Sequence, residues 1–266
     1  MEIILTVFFT LLGISIGSFL NVVIDRLPAG RSLVNPPSHC DACQRRLSPR
    51  ELVPIISYLW LRGRCAHCGA RISRRVLLVE VLSGVLFFLA FWRFGLSPEF
   101  AITALWGCVF LVIIFIDWEQ QLILNRLTYP AAIMALAILA ADSVLPEWGL
   151  LAGLRPFWPQ ASILSGLFAG AIGLVFFLIV FLINPRGMGM GDIKLAALIG
   201  LAVGFPLVII GLFVGIFIGG LVAVVLLLLK KKGRKDAIPY GTFLAIGPMV
   251  ALLWGREILQ WYISLF

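Results

Sequence analysis

The sequence predicts an all-α polytopic membrane protein with about eight transmembrane helices and one small loop domain on the cytoplasmic side. Of its 266 residues, 61% are apolar and only 13% are charged, against about 25% charged residues in a typical soluble domain. Several apolar stretches also reach the roughly 20 residues that cross a bilayer. These observations exclude a soluble α/β enzyme, a secreted disulfide scaffold and a disordered chain.

Eight apolar segments predict the helices in chain order. Five are separate runs, at residues 3–24, 76–92, 100–116, 128–145 and 161–183. The stretch 193–229 holds 37 residues, and one helix of that length would extend about 55 Å, against a hydrocarbon core of about 30 Å. We therefore expect Gly204, Phe205 and Pro206 to divide it into two spans. The last span covers residues 239–261.

The positions of the basic residues predict the orientation. With eight spans, segments on one side of the membrane contain 18 of the 21 Lys and Arg residues, which is the bias of cytoplasmic loops. The N-terminus is then outside and the first loop inside. Merging the two spans of 193–229 would move the basic cluster at 230–235 outside. The net charge of +8 is thus read as a topology signal, and we expect the lipid bilayer, and no nucleic acid, as a partner.

Three parts of the chain follow from these spans. Residues 1–24 are the first transmembrane helix, which begins with Glu2 instead of the basic region of a signal peptide. Residues 25–75 form the cytoplasmic loop domain, and residues 76–266 form the larger membrane domain of about seven helices. The oligomeric state does not follow from the sequence.

Four of the five cysteines lie in the cytoplasmic loop as two Cys-x2-Cys pairs, Cys40 with Cys43 and Cys65 with Cys68. Two such pairs at this separation are typical of a tetrahedral thiolate site for Zn²⁺. Two disulfides or a redox pair are the alternatives, but cytoplasmic thiols are kept reduced. A loop of about 50 residues buries little apolar surface, so we expect one structural zinc per chain. His39 and His67 lie nearby and are expected to be spare.

Two carboxylates border predicted spans on the same side of the membrane. Asp117 ends the third span, and Asp192 begins the sixth. Ionisable groups in such positions are costly and are functional candidates. Two carboxylates held close together share one proton, so the ionised group can take a proton from water while the neutral group polarises a carbonyl. That pattern predicts an aspartic peptidase, with Asp117 and Asp192 as its catalytic pair.

The residues around Asp192 are predicted to lie near the substrate. They are three glycines, which let an extended backbone approach closely, and one cation: Gly187, Gly189, Gly191 and Lys194. Alternatively, Asp192 is only a helix cap, and Asp117 only marks the end of a span. Glu80, inside the second span, either lines the same cavity or makes a polar contact between helices.

Taken in order, five motifs resemble those of the bacterial type IV prepilin peptidases, the leader peptidase/N-methyltransferases with a G-x-G-D aspartate motif. They are residues 17–28, the two cysteine pairs, Asp117 with residues 125–128, residues 187–194, and residues 238–245. The chain departs from the family pattern at Leu124, where proline is usual. This departure bears on the local backbone after Asp117.

The resemblance implies an activity and its substrates. The enzyme would remove the basic leader of type IV prepilins and type II secretion pseudopilins at the cytoplasmic face of the bacterial inner membrane. It would then methylate the new N-terminal amine with S-adenosylmethionine. The sequence contains no strand and glycine-rich loop of the Rossmann kind, so residues that bind the methyl donor stay unassigned.

Two other classes of protein compete with this interpretation. A transporter or channel would use intramembrane acids as a relay, but it would be expected to show inverted repeats, which the sequence lacks. A membrane scaffold would use the metal loop to dock pilus-assembly partners and would need neither aspartate.

Overall fold

The computed structural model describes residues 1–144, 162–185, 188–229 and 239–266, which form nine α-helices and no extended strands. In chain order these are α1 (Glu2–Arg26), α2 (Ile56–Trp60), α3 (Arg74–Phe94), α4 (Pro98–Gln120), α5 (Asn125–Val144), α6 (Ser162–Ile183), α7 (Met190–Val203), α8 (Leu207–Leu228) and α9 (Tyr240–Ile263). Two compact units result, Met1–Leu96 and Ser97–Phe266.

Seven of these helices are long and apolar enough to cross a membrane, so the protein is an all-helical, multi-pass membrane protein. They are α1, α3, α4, α5, α6, α8 and α9. The remaining predicted span corresponds to α7, which has 14 residues and a length of about 21 Å, less than the hydrocarbon core. The break expected after it is present, because Gly204 has a φ of +70° and α8 starts at Leu207.

The first unit is built on the close packing of α1 against α3. A methyl group added at Gly13 would lie 2.6 Å from the side chain of Phe87, and one at Gly84 would lie 2.6 Å from Ile14. Small residues at such contacts let helix backbones approach, which is the usual means of helix association in membranes.

Polar contacts fix the register of this helix pair. The Ser83 hydroxyl donates to the Gly13 carbonyl at 2.7 Å, and the buried Asn21 amide donates to the Val76 carbonyl at 3.0 Å. Near the start of α3, Arg75 pairs with Asp25 at 2.6 Å. In a low-dielectric surrounding, these bonds favour one alignment of the two helices over alternatives that leave polar groups unpaired.

The second unit contains two glycine-lined helix contacts. Gly200 of α7 has no room for a side chain because it lies against the Ala169 carbonyl of α6. In the same way, Gly247 of α9 lies against the Gly211 carbonyl of α8. Helix α9 also packs on α4 and α7. The starts of α7 and α9 are thereby held close to the end of α4.

Several residues singled out in the sequence lie outside the described part of the chain. They are the substrate-proximal candidate Gly187, the basic residues at 230–235, and Ile238 at the start of the last motif. The three-part division at residues 24 and 75 remains a prediction.

Candidate active site and metal centre

Asp117 lies in the last turn of α4, with its side chain only 4% exposed. The sequence placed it at the end of a span, and the helix continues three residues further, to Gln120. Gln121 then takes a left-handed conformation with a φ of 55°, and its N–H donates to the Asp117 carbonyl at 2.8 Å. This is a common helix C-terminus, and it turns the chain away just after the carboxylate.

Thr242, the third residue of α9, makes two contacts with Asp117. Its backbone N–H donates to Asp117 Oδ2 at 2.6 Å, and its hydroxyl lies 3.0 Å from the same oxygen. The first N–H groups of a helix have no partner within it and bear partial positive charge. The Asp117 carboxylate therefore caps the N-terminus of α9, an arrangement that favours its ionised form.

Gly241 lets α9 approach this carboxylate. A methyl group added there would lie 3.1 Å from both Cγ and Oδ2 of Asp117 and 2.8 Å from Ile123. On the other side, one added at Gly191 would lie 2.9 Å from Ile123. Ile123, in the link between α4 and α5, thus packs against the starts of both α7 and α9.

Asp192 is the third residue of α7 and is partly buried. Its Oδ2 accepts a hydrogen bond from the N–H of Gly189, the N-cap residue of α7, at 3.2 Å. Asp192 is therefore not the N-cap itself, but its side chain reaches back to the N-cap as in a capping box. It also lies near enough to Asp117 for the two charges to interact. Tyr240, at the start of α9, interacts with Asp192 in the same way.

The other residues of the glycine motif have different surroundings. Among the described residues, a methyl group at Gly189 would meet Asp192 Oδ2, at 3.6 Å, and the Gly191 N–H, at 3.8 Å, with space beside the carboxylate. Gly191 packs against Ile123, so its small size has a structural reason. Lys194 donates to Asn125 Oδ1 at 2.9 Å and lies 5.4 Å from the Tyr129 ring centre.

Leu124 occupies the position where the family usually has proline. Its carbonyl accepts from the N–H groups of Leu127 and Thr128, both at 3.0 Å, so it acts as the N-cap of α5. The break between α4 and α5 thus forms without a proline.

The two cysteine pairs have the same local structure. In the first, the Cys40 carbonyl accepts from the Gln44 N–H at 2.8 Å. In the second, the Cys65 carbonyl accepts from the Gly69 N–H at 3.0 Å. Gln44 and Gly69 both have positive φ angles, 58° and 70°. Each pair is therefore a tight hairpin that turns two sulfurs towards one point.

The four sulfurs of Cys40, Cys43, Cys65 and Cys68 all lie within 4.8 Å of one another. All four are unbridged, and Cys40 Sγ lies 3.8 Å from Cys68 Sγ. A ZnS₄ tetrahedron with Zn–S bonds of about 2.3 Å has edges of about 3.8 Å. The donor set and its spacing therefore fit a metal ion. The disulfide alternative does not match these sulfur positions, because a disulfide requires about 2.05 Å.

The environment of Cys65 favours the form that binds metal. The backbone N–H groups of Cys68 and His67 point at its sulfur and lower the pKa of the thiol to about 6. At Cys68, burial and the neighbouring sulfurs act in the opposite direction and raise the pKa of the thiol to about 11. The four sulfurs thus share protons, which a bound cation would displace. His39 is engaged elsewhere, since its Nδ1 lies 2.9 Å from the Pro37 carbonyl.

Glu80 makes a polar contact within the first unit, the second of its two expected roles. It is 4% exposed, and its Oε2 accepts from the N–H of Ile55 at 2.7 Å. The Ser18 side chain of α1 is a further hydrogen-bond partner. Glu80 thereby ties together α1, α3 and the residue that precedes α2.

Sequence reasoning assigned no role to Thr242, Gly241, Ile123 or Tyr240. Tyr240, Gly241 and Thr242 lie in the last motif, residues 238–245. That motif supported the family resemblance but contains no residue pattern that predicts a catalytic role. Only the fold brings the start of α9 against Asp117, so a contact across 125 residues of sequence has no local pattern that predicts it.

Known proteins match this chain along nearly its whole length. Residues 11–94 match the Bacterial Peptidase A24 N-terminal domain, and residues 104–224 match the Type IV leader peptidase family. No solved structure matches the chain significantly.

Among curated proteins, several similar ones are named prepilin leader peptidase/N-methyltransferase. One from Bacillus subtilis is 31% identical over 95% of this chain and 96% of its own. One from Pseudomonas putida is 33% identical over 94% and 90%, and one from Pseudomonas aeruginosa is 32% identical over 96% and 92%. With both domains matched and such identity along almost the full length, this chain belongs to the type IV leader peptidase family.

Proposed function

We propose that this protein is a membrane-embedded aspartic endopeptidase that removes the leader peptide of type IV prepilins and pseudopilins and then N-methylates the new N-terminus. The observation that supports the peptidase half is the proximity of Asp117, beside the start of α9, to Asp192, at the start of α7, which is close enough for their charges to interact. The relatives' shared name and the family match support both activities. The site is proposed to face the cytoplasm, with the protein in the bacterial inner membrane.

The two aspartates have unequal surroundings, which suggests their roles. Asp117 Oδ2 accepts from the Thr242 N–H and lies beside its hydroxyl, whereas Asp192 accepts, from the described part of the chain, the N–H of Gly189. Hydrogen bonds to a carboxylate favour its ionised form, and nearby like charges disfavour double ionisation. Asp117 is thus the ionised member and Asp192 holds the shared proton.

The reaction follows from that distribution. Asp117 takes a proton from water as the water oxygen bonds to the scissile carbonyl carbon, and Asp192 gives its proton to the carbonyl oxygen. The tetrahedral intermediate then collapses as the C–N bond breaks. The amine leaves with the proton held by Asp117, and the hydroxyl proton returns to Asp192. The open space at Gly189 is where the substrate backbone approaches.

The zinc assignment rests on the four thiolates of the loop. Zinc in such a site supplies a structural cross-link. Cys40, Cys43, Cys65 and Cys68 would hold it, with no open position for substrate. Methyl transfer uses S-adenosylmethionine as donor of an electrophilic methyl group. The described residues contain no glycine-rich strand–helix cradle, and we assign none of them to that cofactor.

A cleavage assay tests the proposal. Purified full-length protein is mixed with a prepilin that has a basic leader, and product masses are measured with and without S-adenosylmethionine. Leader loss, with a gain of one methyl group when the donor is present, is expected. Asp117→Asn and Asp192→Asn should each abolish cleavage. Asp142→Asn, which changes a buried carboxylate near the C-terminal end of α5, should retain cleavage. Full cleavage by either dyad variant would refute the catalytic assignment.

A further inference from the structure

The short helix α2 in the cytoplasmic loop presents an uncovered apolar face. Ile56, Leu59 and Trp60 are 61%, 60% and 79% exposed. Their spacing of three and four residues places them on one side of the helix. The opposite side of α2 faces the rest of the loop, where the Tyr58 hydroxyl lies 3.5 Å from the Ile72 carbonyl. This arrangement fixes the apolar face outward.

The position of α2 along the helix pair is set by Glu80. Glu80 lies six residues after the start of α3 at Arg74, about 9 Å along the helix axis. Its second partner, Ser18, lies eight residues before the end of α1, about 12 Å from that end. The N–H of Ile55, the residue before α2, bonds this carboxylate. The residue that precedes α2 therefore reaches back alongside α1 and α3, to a glutamate that lies within the second candidate membrane span.

The chain enters α2 through a strained backbone conformation at Ile55. Ile55 has a φ of 61°, a conformation rarely adopted by a β-branched residue. Such strain persists only where surrounding contacts compensate for it. The hydrogen bond from the Ile55 N–H to the buried Glu80 carboxyl, at 2.7 Å, is such a contact, so the entry of the chain into α2 is a defined feature.

The charges around α2 match an anionic membrane surface. Arg50, Arg62 and Arg64 flank it in sequence, and all three are exposed. Apolar side chains on one face with arginines at the edges are typical of helices that lie in the membrane interface. Trp60, the most exposed of the apolar three, is a residue type enriched at that depth.

We propose that α2 is an interfacial membrane anchor that inserts Ile56, Leu59 and Trp60 into the lipid of the protein's own bilayer, while the flanking arginines bind anionic headgroups. The zinc loop is then held against the membrane surface and does not extend into water. The occupant is lipid because the chain entering α2 is bonded to Glu80 of a candidate membrane span and exposed arginines flank the apolar face. This proposal is independent of the peptidase assignment.

Quenching of tryptophan fluorescence by brominated acyl chains tests the insertion. The full-length protein is reconstituted in vesicles of phosphatidylcholine and phosphatidylglycerol, with and without bromine on the acyl chains. Because the chain has eight tryptophans, the signal of Trp60 is the difference between wild type and Trp60→Phe. We expect this difference emission to be blue-shifted, quenched at least about twofold by bromolipid, and insensitive to aqueous iodide.

Two outcomes would overturn the proposal. Quenching by iodide instead of bromolipid would place Trp60 in water. Insensitivity to both would mean that protein, either another part of the chain or a second copy, covers the face. Ile56→Asn, measured against its own Trp60→Phe background, should reduce the bromolipid quenching at least about twofold. Val34→Asn, at an equally exposed apolar residue of the same loop, should not. Equal quenching without phosphatidylglycerol would refute the role of the arginines.

Discussion

Thr242 contacts a single oxygen of Asp117 through both its backbone N–H, at 2.6 Å, and its hydroxyl, at 3.0 Å. The hydroxyl also lies 3.2 Å from the Ile114 carbonyl of α4. The hydroxyl has one proton, so it donates either to Asp117 Oδ2 or to the Ile114 carbonyl. It can therefore stay hydrogen-bonded whether Asp117 is ionised or protonated. Oδ2 is thereby held by α9, and in the proposed mechanism Oδ1 is the oxygen that exchanges a proton with water.

Removing this hydroxyl should slow catalysis without weakening substrate binding. Thr242→Val keeps the backbone N–H and the shape but removes a hydrogen bond to a charged group, which corresponds to a loss of about tenfold or more in kcat. KM should stay within about twofold, because Thr242 contacts Asp117 and is expected to act on the substrate only through that carboxylate. Initial-rate kinetics with a prepilin substrate provide the measurement.

The same variant should shift the acidic side of the pH–rate profile to higher pH. The ionised form of Asp117 is less stabilised, so a higher pH is required to reach it. Asp192 and Tyr240 face the same site and remain in place. Thr242→Ser should restore wild-type behaviour. Thr103→Val, at a buried threonine of the same helix as Asp117, should change nothing. An unaltered rate and profile in Thr242→Val would show that the hydroxyl has no part in catalysis.

A methyl group at Gly241 should displace Asp117. Its Cβ would lie 3.1 Å from the carboxylate, which must move by a few tenths of an ångström. Misplacement of a catalytic group by 1 Å costs about 100-fold, so kcat of Gly241→Ala should fall about tenfold. Gly220→Ala is the matched control, since no atom of the described residues lies within 4 Å of its added Cβ. Equal activity of both variants would contradict the close fit.

Metal analysis of the purified protein should give about one zinc per chain, as for a Cys₄ site. Cys40→Ser should bind less than half as much and unfold at a lower temperature, because the loop loses its cross-link. Cys108→Ser, which removes a cysteine of α4 remote from the cluster in sequence, should keep its zinc. A metal-free wild-type preparation that is fully folded would argue against the zinc site.

Replacing Glu80 should lower the stability of the first unit, Met1–Leu96. Glu80→Leu leaves the Ile55 N–H without its acceptor, which should cost about 1–3 kcal/mol of stability. Glu80→Gln keeps an acceptor oxygen and should cost less. Thermal unfolding in detergent measures both, and Glu2→Gln at the exposed start of α1 is the control. Identical unfolding temperatures for Glu80→Leu and wild type would mean that the contact contributes nothing.

The sequence predicted the features that depend on local pattern. The lengths of the apolar segments predicted where the membrane helices lie, and Gly204 indicated the break between α7 and α8. The spacing of the two Cys-x2-Cys pairs predicted that Cys40 and Cys65 belong to one cluster. The catalytic use of Asp117 and Asp192 stays a prediction. Contacts between distant segments, such as Thr242 with Asp117, depend on helix packing, so no periodicity or motif could indicate them.

The interlocked glycines of α1 and α3 have a consequence for biosynthesis. Helix α1 leaves the ribosome first, and at that stage its Asn21 side chain lacks the Val76 carbonyl with which it pairs in the finished fold. In α3, the Ser83 hydroxyl likewise lacks the Gly13 carbonyl until both helices are present. Each helix alone therefore carries a polar side chain into lipid without its interhelical partner, which is costly. The two helices are best suited to enter the bilayer together as a hairpin, after the loop between them has been translated.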